Sequence, residues 1–371
     1  MKRTVGAAMA AALLAPVAEA GGIERAGFAS SILFEEGTYS EFSLGAVAPN
    51  VSGIQASPLG PFGSVGASSG DVSPDFTQWS FGFKTDVTES LALALIVDQP
   101  IGADVDYADP AYAYGANGGS TATIDAIGVT AVAKYALPND FSIYGGIRAL
   151  QTRGDVALFN GYRMSTSTEL DFGYLVGAAW ERPEIAARVA LTYLSSITHT
   201  FDATEPADAG DGRFSTTVPQ SILLEAQTGI AEDTLLFGSI KWRNWTAFDI
   251  TPDFYTASVA PGGSLVSYDN DVYTYSLGVG RRFNETWSGA LLTSYEPQTG
   301  GFAGNLGPTD GFFSLGVAAT RSSGPWEVTA GLRHIWIGSA RTQNPSAAGV
   351  TLGDFSGNTG LAGGLRIAYT Y

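Results

Sequence analysis

Apolar and polar residues alternate with a period of two along most of this chain. In Trp326 to Trp336, the residues Trp326, Val328, Ala330, Leu332, His334 and Trp336 fall on one face, and Glu327, Thr329, Gly331 and Arg333 on the other. The last stretch repeats the pattern: Gly363, Leu365, Ile367, Tyr369 and Tyr371 oppose Gly364, Arg366, Ala368 and Thr370. Such a period belongs to a β-strand, and an apolar face backed by a small or charged one belongs to a strand between lipid and water. Ten steps of ~3.3 Å, tilted by ~40°, set the two tryptophans of the first stretch ~25 Å apart in height, as an outer-membrane apolar band requires. Comparable outward faces are Leu91/Leu93/Leu95/Val97, Phe141/Ile143/Ile147, Leu170/Phe172/Tyr174/Val176/Trp180 and Tyr273/Tyr275/Leu277/Val279/Phe283.

The segments are divided by turn chemistry of two lengths. Short dividers are Asp86 to Ser90, Pro138 to Asp140, Arg182 to Glu184, Glu232-Asp233, Asn284-Glu285 and Ser322 to Pro325. Long ones are Asn50 to Pro74, Gln99 to Gly119, Gly154 to Ser165, Thr200 to Gly212, Thr251 to Ser267, Pro297 to Asp310 and Ser339 to Gly353. They alternate strictly, so six short and seven long connections join fourteen strands, with tight turns on one rim and long loops on the other. The fold expected is all-β: a 14-stranded antiparallel transmembrane β-barrel over residues 38–371 with a short N-terminal plug. A soluble two-sheet sandwich is the alternative built from the same alternation.

The start of the chain sets the compartment. Lys2 and Arg3 form a basic region, Ala7 to Val17 an apolar one, and Ala18-Glu19-Ala20 a small-x-small site, so residues 1–20 read as a signal peptide and the mature chain as starting at Gly21. No apolar run reaches the ~20 residues of a spanning helix, which leaves a barrel as the way across a membrane. Tyr371 gives the chain the terminal aromatic residue that outer-membrane assembly machinery reads. Without cysteine, no disulfide or thiolate metal site is available. Glycine is abundant (47 of 371 residues) while charged residues make up only 15%, a balance suited to many short strands with aromatic girdles. A formal net charge of -17 argues against nucleic acid as a partner.

Strand parity then assigns the lumen. Lys84, Lys134, Arg148, Arg188, Lys241, Arg282, Arg333 and Arg366 face inward, with Glu41, Asp98, Asp171 and Glu225 opposing them, while the acids of the long loops are placed for solubility or for divalent-ion bridges to lipopolysaccharide. Several inward positions are apolar: Ile96, Tyr144, Leu150, Leu175, Leu235, Phe237, Leu292, Phe312 and Ile335. Cations in an apolar lining suit an amphipathic anion. Arg148, Lys241 and Arg333, mid-barrel by strand position, are the candidates for a ligand carboxylate, with Leu150, Leu175, Phe237 and Ile335 for its apolar part. Solvation of the cations by channel water, and packing of the apolar residues on a plug, are the alternatives. A barrel this wide is not filled by its own side chains. Gly21 to Gly37, with Phe28, Ile32 and Phe34 and no clear period, is the segment placed to occlude it.

At this point the chain resembles the long-chain fatty acid and hydrophobic-compound transporter family of the outer membrane, the FadL/TodX type. The residues that carry the likeness are Ala190 to Tyr193, Val218 to Ser221, Trp242 and Trp245, Tyr275 to Gly280, and Gly331 to Trp336. The resemblance implies a monomeric barrel, an N-terminal hatch, ligand binding first near the third and fourth long loops and then inside against the hatch, and release through a gap at a kinked third strand. Two features depart from it. The family's hatch is longer and carries Asn-Pro-Ala where this chain has Ser30-Ser31-Ile32, and the third long loop, Gly154 to Ser165, is abbreviated.

Uptake of a hydrophobic small molecule, a fatty acid or an aromatic hydrocarbon, is therefore the expected function. A general or anion-preferring diffusion porin is the alternative. No enzyme, cofactor or metal site is expected: His334 falls on the outward face, and His199, near Ser195, Ser196 and Asp202, is the single place where a Ser-His-Asp set is conceivable. The third strand admits two readings. It stops at Val97 with Pro100 opening a loop, or it resumes through Val105 and Tyr107 with Pro100 and Gly102 marking a bulge that opens the wall.

Overall fold

The computed structural model describes residues 23–25, 28, 30–206 and 211–371; the proposed signal peptide and cleavage site lie outside them. Fourteen strands form the wall. They are β1 (Tyr39–Asn50), β2 (Phe76–Asp86), β3 (Leu91–Asp98, resuming as Gly102–Tyr107), β4 (Ser120–Ala136), β5 (Phe141–Ala157), β6 (Glu169–Arg182) and β7 (Ala187–Leu194). The second half continues with β8 (Ser221–Ala231), β9 (Thr234–Arg243), β10 (Val272–Arg282), β11 (Trp287–Glu296), β12 (Phe312–Ser323), β13 (Trp326–Ile337) and β14 (Thr359–Thr370). Each pairs antiparallel with its sequence neighbour, and β14 also pairs with β1 (Phe42↔Ile367, Leu44↔Leu365), so the sheet closes on itself. Closure excludes the two-sheet sandwich. Among the described residues no helix is long and apolar enough to cross a membrane, a test that does not bear on strands.

Parity decides which side chains meet water and which do not. On the outer face Leu93, Leu95, Ile147, Phe172, Tyr174, Leu277, Leu332 and Leu365 are exposed, apolar residues that a soluble sheet would cover. Aromatic pairs mark both ends of that band: Trp326 with Tyr369 (4.7 Å between centroids) at the short-turn rim, Phe313 with Trp336 (5.5 Å) toward the other. His334 is on this outer face, 4.4 Å from the Trp336 ring. On the inner face Lys84, Arg188, Lys241, Arg333 and Arg366 are buried.

The long loops are more ordered than their composition announces. Ile197–Thr204 and Asp211–Val218 pair beyond β7, overlapping the stretch Thr200 to Gly212 that the sequence marks as a long loop, and Arg163–Thr166 bridges them to β5. Gly53–Gln55, Ala340–Gln343 and Thr351–Phe355 form a small sheet across the first and last loops. Their apolar residues, among them Leu59, Tyr107, Tyr112, Phe159, Trp245, Leu352 and Phe355, make one buried cluster that caps the barrel at the long-loop rim.

Candidate functional site

At the short-turn rim, Ser30–Phe34 makes a 3-10 turn whose five residues are all buried. Ile32, Leu33 and Phe34, with Phe28 half-buried beside them, pack on inward side chains of the wall, including Ala94, Val132, Tyr144, Leu175 and Ala190. Ile32 Cδ1 packs against Gly82, where a Cβ would force that methyl to move. The Phe34 ring meets Tyr144 edge-on (6.2 Å) and lies under two cations, Arg188 (4.4 Å) and Lys134 (4.5 Å). Ser30 donates to Glu225, and Lys84 Nζ donates to the carbonyls of Glu35 (2.7 Å) and Gly37 (3.1 Å) as well as to Asp86. Several of the cations assigned to the lumen thus hold the N-terminal segment or its surroundings; Arg282 instead pairs with Asp233 at the rim.

Below the turn, Arg366 reaches Tyr39 Oη (2.9 Å) and Glu41 (3.0 Å), with Glu327 at 3.9 Å. Glu35 is set above this group. Its carboxyl is pushed up to about 7, chiefly by burial, with Arg366 opposing and Glu41 and Glu327 adding repulsion. A carboxyl raised above its ordinary value near 4.5 favours the seated segment when protonated, so seating is strongest below about 4.5 and weakens as pH rises through about 7. Single-channel conductance in a planar bilayer should therefore rise across that window, and Glu35→Gln should flatten the profile. A pH-independent wild type would remove Glu35 from this role.

Higher in the lumen, the residues Ile23 to Arg25 meet a second charged group. Glu24, 3% exposed, accepts from Lys241 (2.9 Å) and Arg243 (2.9 Å), with Arg148 within electrostatic reach alongside Asp98. Of the three candidate carboxylate-binding cations, Lys241 pairs directly with Glu24 here. Arg333 lies on β13 with Nη1 3.5 Å from Ser294 Oγ. The apolar candidates are spread over four clusters: Leu150 in the loop-side core, Leu175 against the N-terminal turn, Phe237 with Leu235 and Leu292, Ile335 with Val47 and Phe312. Parity tells a residue's face but not its height or its neighbours across the lumen. Arg243 shares Lys241's parity two residues on and was legible on that ground; Glu24 and Arg25, in a segment without a period, gave no such signal.

The same three residues meet the third strand where it breaks. From Leu91 to Asp98, β3 pairs with β4 (Asp98↔Gly128), and from Gly102 to Tyr107 it pairs again (Gly102↔Asp125). Three residues on β3, Gln99, Pro100 and Ile101, thus face two on β4, a one-residue bulge. Inward parity switches from even numbers (Ala92, Ala94) to odd ones (Val105, Tyr107) across it. Pro100 has no N–H to give the ladder. Its carbonyl instead accepts from Arg25 N (3.1 Å), Gly102 N donates to Ile23 O (2.9 Å), and Glu24 bridges Ile101. On the other side, pairing of β2 with β3 ends at Phe81↔Val97. Above it Phe76 to Ser80 pair with β1 alone, and the Gln99 side chain substitutes for a strand by accepting from Trp79 N (3.0 Å). Beyond Phe81↔Val97 no ladder joins β2 to β3.

Two cavities lie inside this break. One, about 140 Å³, is lined by Glu24, Arg25, Val47, Phe76, Gly102 and Ile335 among others. The other, about 60 Å³, runs from Ile23 and Ile101 to Met164, Phe201, Phe214 and Phe248 below the loop hairpin. His199 borders the second. It is bonded through Nδ1 to Asp171 (2.9 Å) and through Nε2 to Thr152 Oγ1 (3.3 Å), while Asp202 pairs with Arg213 (3.6 Å) and Ser195 Oγ donates to Ser196 O. The Ser-His-Asp set considered from the sequence is not assembled. Among the described residues no group of three or more His, Asp or Glu is placed to hold a metal ion.

A closed 14-stranded antiparallel barrel whose third strand is broken at Gln99–Ile101 defines the class of structure. No protein-family model and no curated protein sequence matches the chain. Solved structures do. A FadL homologue of Pseudomonas aeruginosa superposes with a TM-score of 0.72 at 15% identity, covering 99% of this chain and 98% of that one. The toluene transporter TodX of P. putida (0.61, 10% identity, 92% and 91% covered) and TbuX of Ralstonia pickettii (0.58, 12%, 92% and 91%) are also similar. At these identities the likeness is one of fold, and it is to channels of the FadL/TodX type.

Proposed function

We propose that this protein is an outer-membrane channel for the uptake of hydrophobic compounds, long-chain fatty acids first among them, with ligand held inside the barrel against the N-terminal segment and released between β2 and β3. The interruption of the wall at Gln99–Ile101 carries this reading. Around it the outer face is apolar, with Phe81, Leu95, Ile127 and Val129 exposed, so a ligand leaving sideways meets hydrocarbon and never crosses water. Inside, Arg148 and Lys241 stand where a ligand carboxylate competes with Glu24, and each exchange would loosen the segment from the break. The toluene transporters among the similar structures make an aromatic hydrocarbon the alternative cargo.

A diffusion porin needs a polar, water-filled lumen. Here Tyr144, Leu175, Leu235, Phe237, Leu292, Phe312 and Ile335 are all buried on the inner face. Cells carrying the channel should accumulate laurate faster than cells lacking it, while liposomes containing it should not swell in sugar solutions. Sugar permeation without laurate uptake would establish the porin instead.

A further inference from the structure

One side chain touches both lips of the interruption. The Arg25 guanidinium carbon lies 3.4 Å from the centre of the Phe76 ring on β2, and Nη2 donates to Asp104 Oδ2 (2.7 Å) on the resumed half of β3. Above Phe81↔Val97 no ladder joins these two strands, and among the described residues the side chains of Arg25 and Gln99 reach across. The lip is cut back to receive the arginine: a Cβ on Gly102 would stand 3.1 Å from Arg25 Nε and 3.2 Å from its Cγ. Arg25 is 8% exposed, yet Nη1 has no acceptor. A buried guanidinium N–H without a partner is an unmet hydrogen bond, and Arg25 itself lines the 140 Å³ cavity.

We propose that Arg25 is the bolt of the side opening, drawn by a ligand that carries an acceptor, above all a carboxylate. This rests on the sideways-release reading above. The bond to Asp104 is open to exchange, because the Asp104 side chain is 41% exposed and water shares it. A carboxylate arriving in the cavity offers the guanidinium a two-pronged pair in a drier place and turns it away from Phe76. A hydrocarbon offers neither prong and meets a closed gap. The channel thereby favours fatty acids over alkanes at its exit.

The test uses the full-length chain in cells and compares uptake of laurate with that of an alkane of matched length, both relative to cells without the channel. Wild type should favour laurate. Arg25→Ala should raise alkane uptake by up to about tenfold, the shift in open population that loss of one desolvated cation–aromatic contact allows, and erase the preference. Asp104→Asn should move the same way by a smaller factor. Should Arg25→Ala fail to assemble, as shown by loss of heat-modifiable migration, Arg25→Gln keeps the stem and removes the charge. Unchanged rates and an unchanged ratio in an assembled variant overturn the proposal. A bulky label on Gln99→Cys separates the two ideas. If the label stops uptake while Arg25→Ala does nothing, the bolt fails and sideways release stands; if labelled protein transports normally, sideways release fails first.

Discussion

Replacing Glu24 by Ala should unseat the N-terminal segment from the third strand and raise single-channel conductance. Glu24 joins Lys241 and Arg243 at 2.9 Å each, and all three residues are under 10% exposed. Removing one member of a buried ion pair costs ~3–5 kcal/mol, because the charge left behind has given up its water. The other ties of this end of the segment to the break are the Arg25 contacts to Asp104 and Phe76 and two backbone hydrogen bonds, Arg25 N to Pro100 O and Gly102 N to Ile23 O; of these, only the Asp104 pair carries charge, and it is partly exposed. The barrel should still form, since its ladders run from β1 to β14 without Glu24. Changing Lys241 and Arg243 to Met in the Glu24→Ala background should recover part of the loss, as apolar groups of similar size tolerate the site. Conductance equal to wild type in Glu24→Ala would mean that the cap of long loops closes the pore.

The barrel was legible because lipid and lumen impose opposite demands on successive residues. Parity alone put Lys84, Arg188, Lys241 and Arg366 inside, where they are buried, and Leu93, Phe172 and Leu332 outside, where they are exposed. Strand count followed from the strict alternation of short and long connections. Where one-dimensional pattern stops deciding position, the reading thinned. Leu150, Leu175, Phe237 and Ile335 share a face but not a site, since height along the axis and partners across the lumen are tertiary facts. Ile197–Thr204 and Asp211–Val218 pair antiparallel around Thr200 to Gly212, which its turn residues marked as loop. The break in β3 was visible as Pro100 inside an alternating run, yet the partners that fill it, Glu24 and Arg25, lie in a stretch with no period at all.

A bulky group fixed at residue 99 should abolish uptake while leaving ligand binding intact. Gln99 occupies the interruption itself: its backbone is unpaired between Asp98↔Gly128 and Gly102↔Asp125, and its side chain reaches across to Trp79 N at 3.0 Å. The chain has no cysteine, so Gln99→Cys offers a single thiol for a bulky maleimide. The label would fill the space between β2 and β3, where no ladder joins the two strands. Unlabelled Gln99→Cys loses one hydrogen bond across the gap and should transport at least as fast as wild type. The decisive measurement is laurate uptake by cells whose Gln99→Cys channel is labelled to completion, with laurate binding by the purified protein as control. Release between β2 and β3 predicts binding near the wild-type level and uptake reduced to that of cells without the channel; normal uptake by fully labelled protein would contradict it.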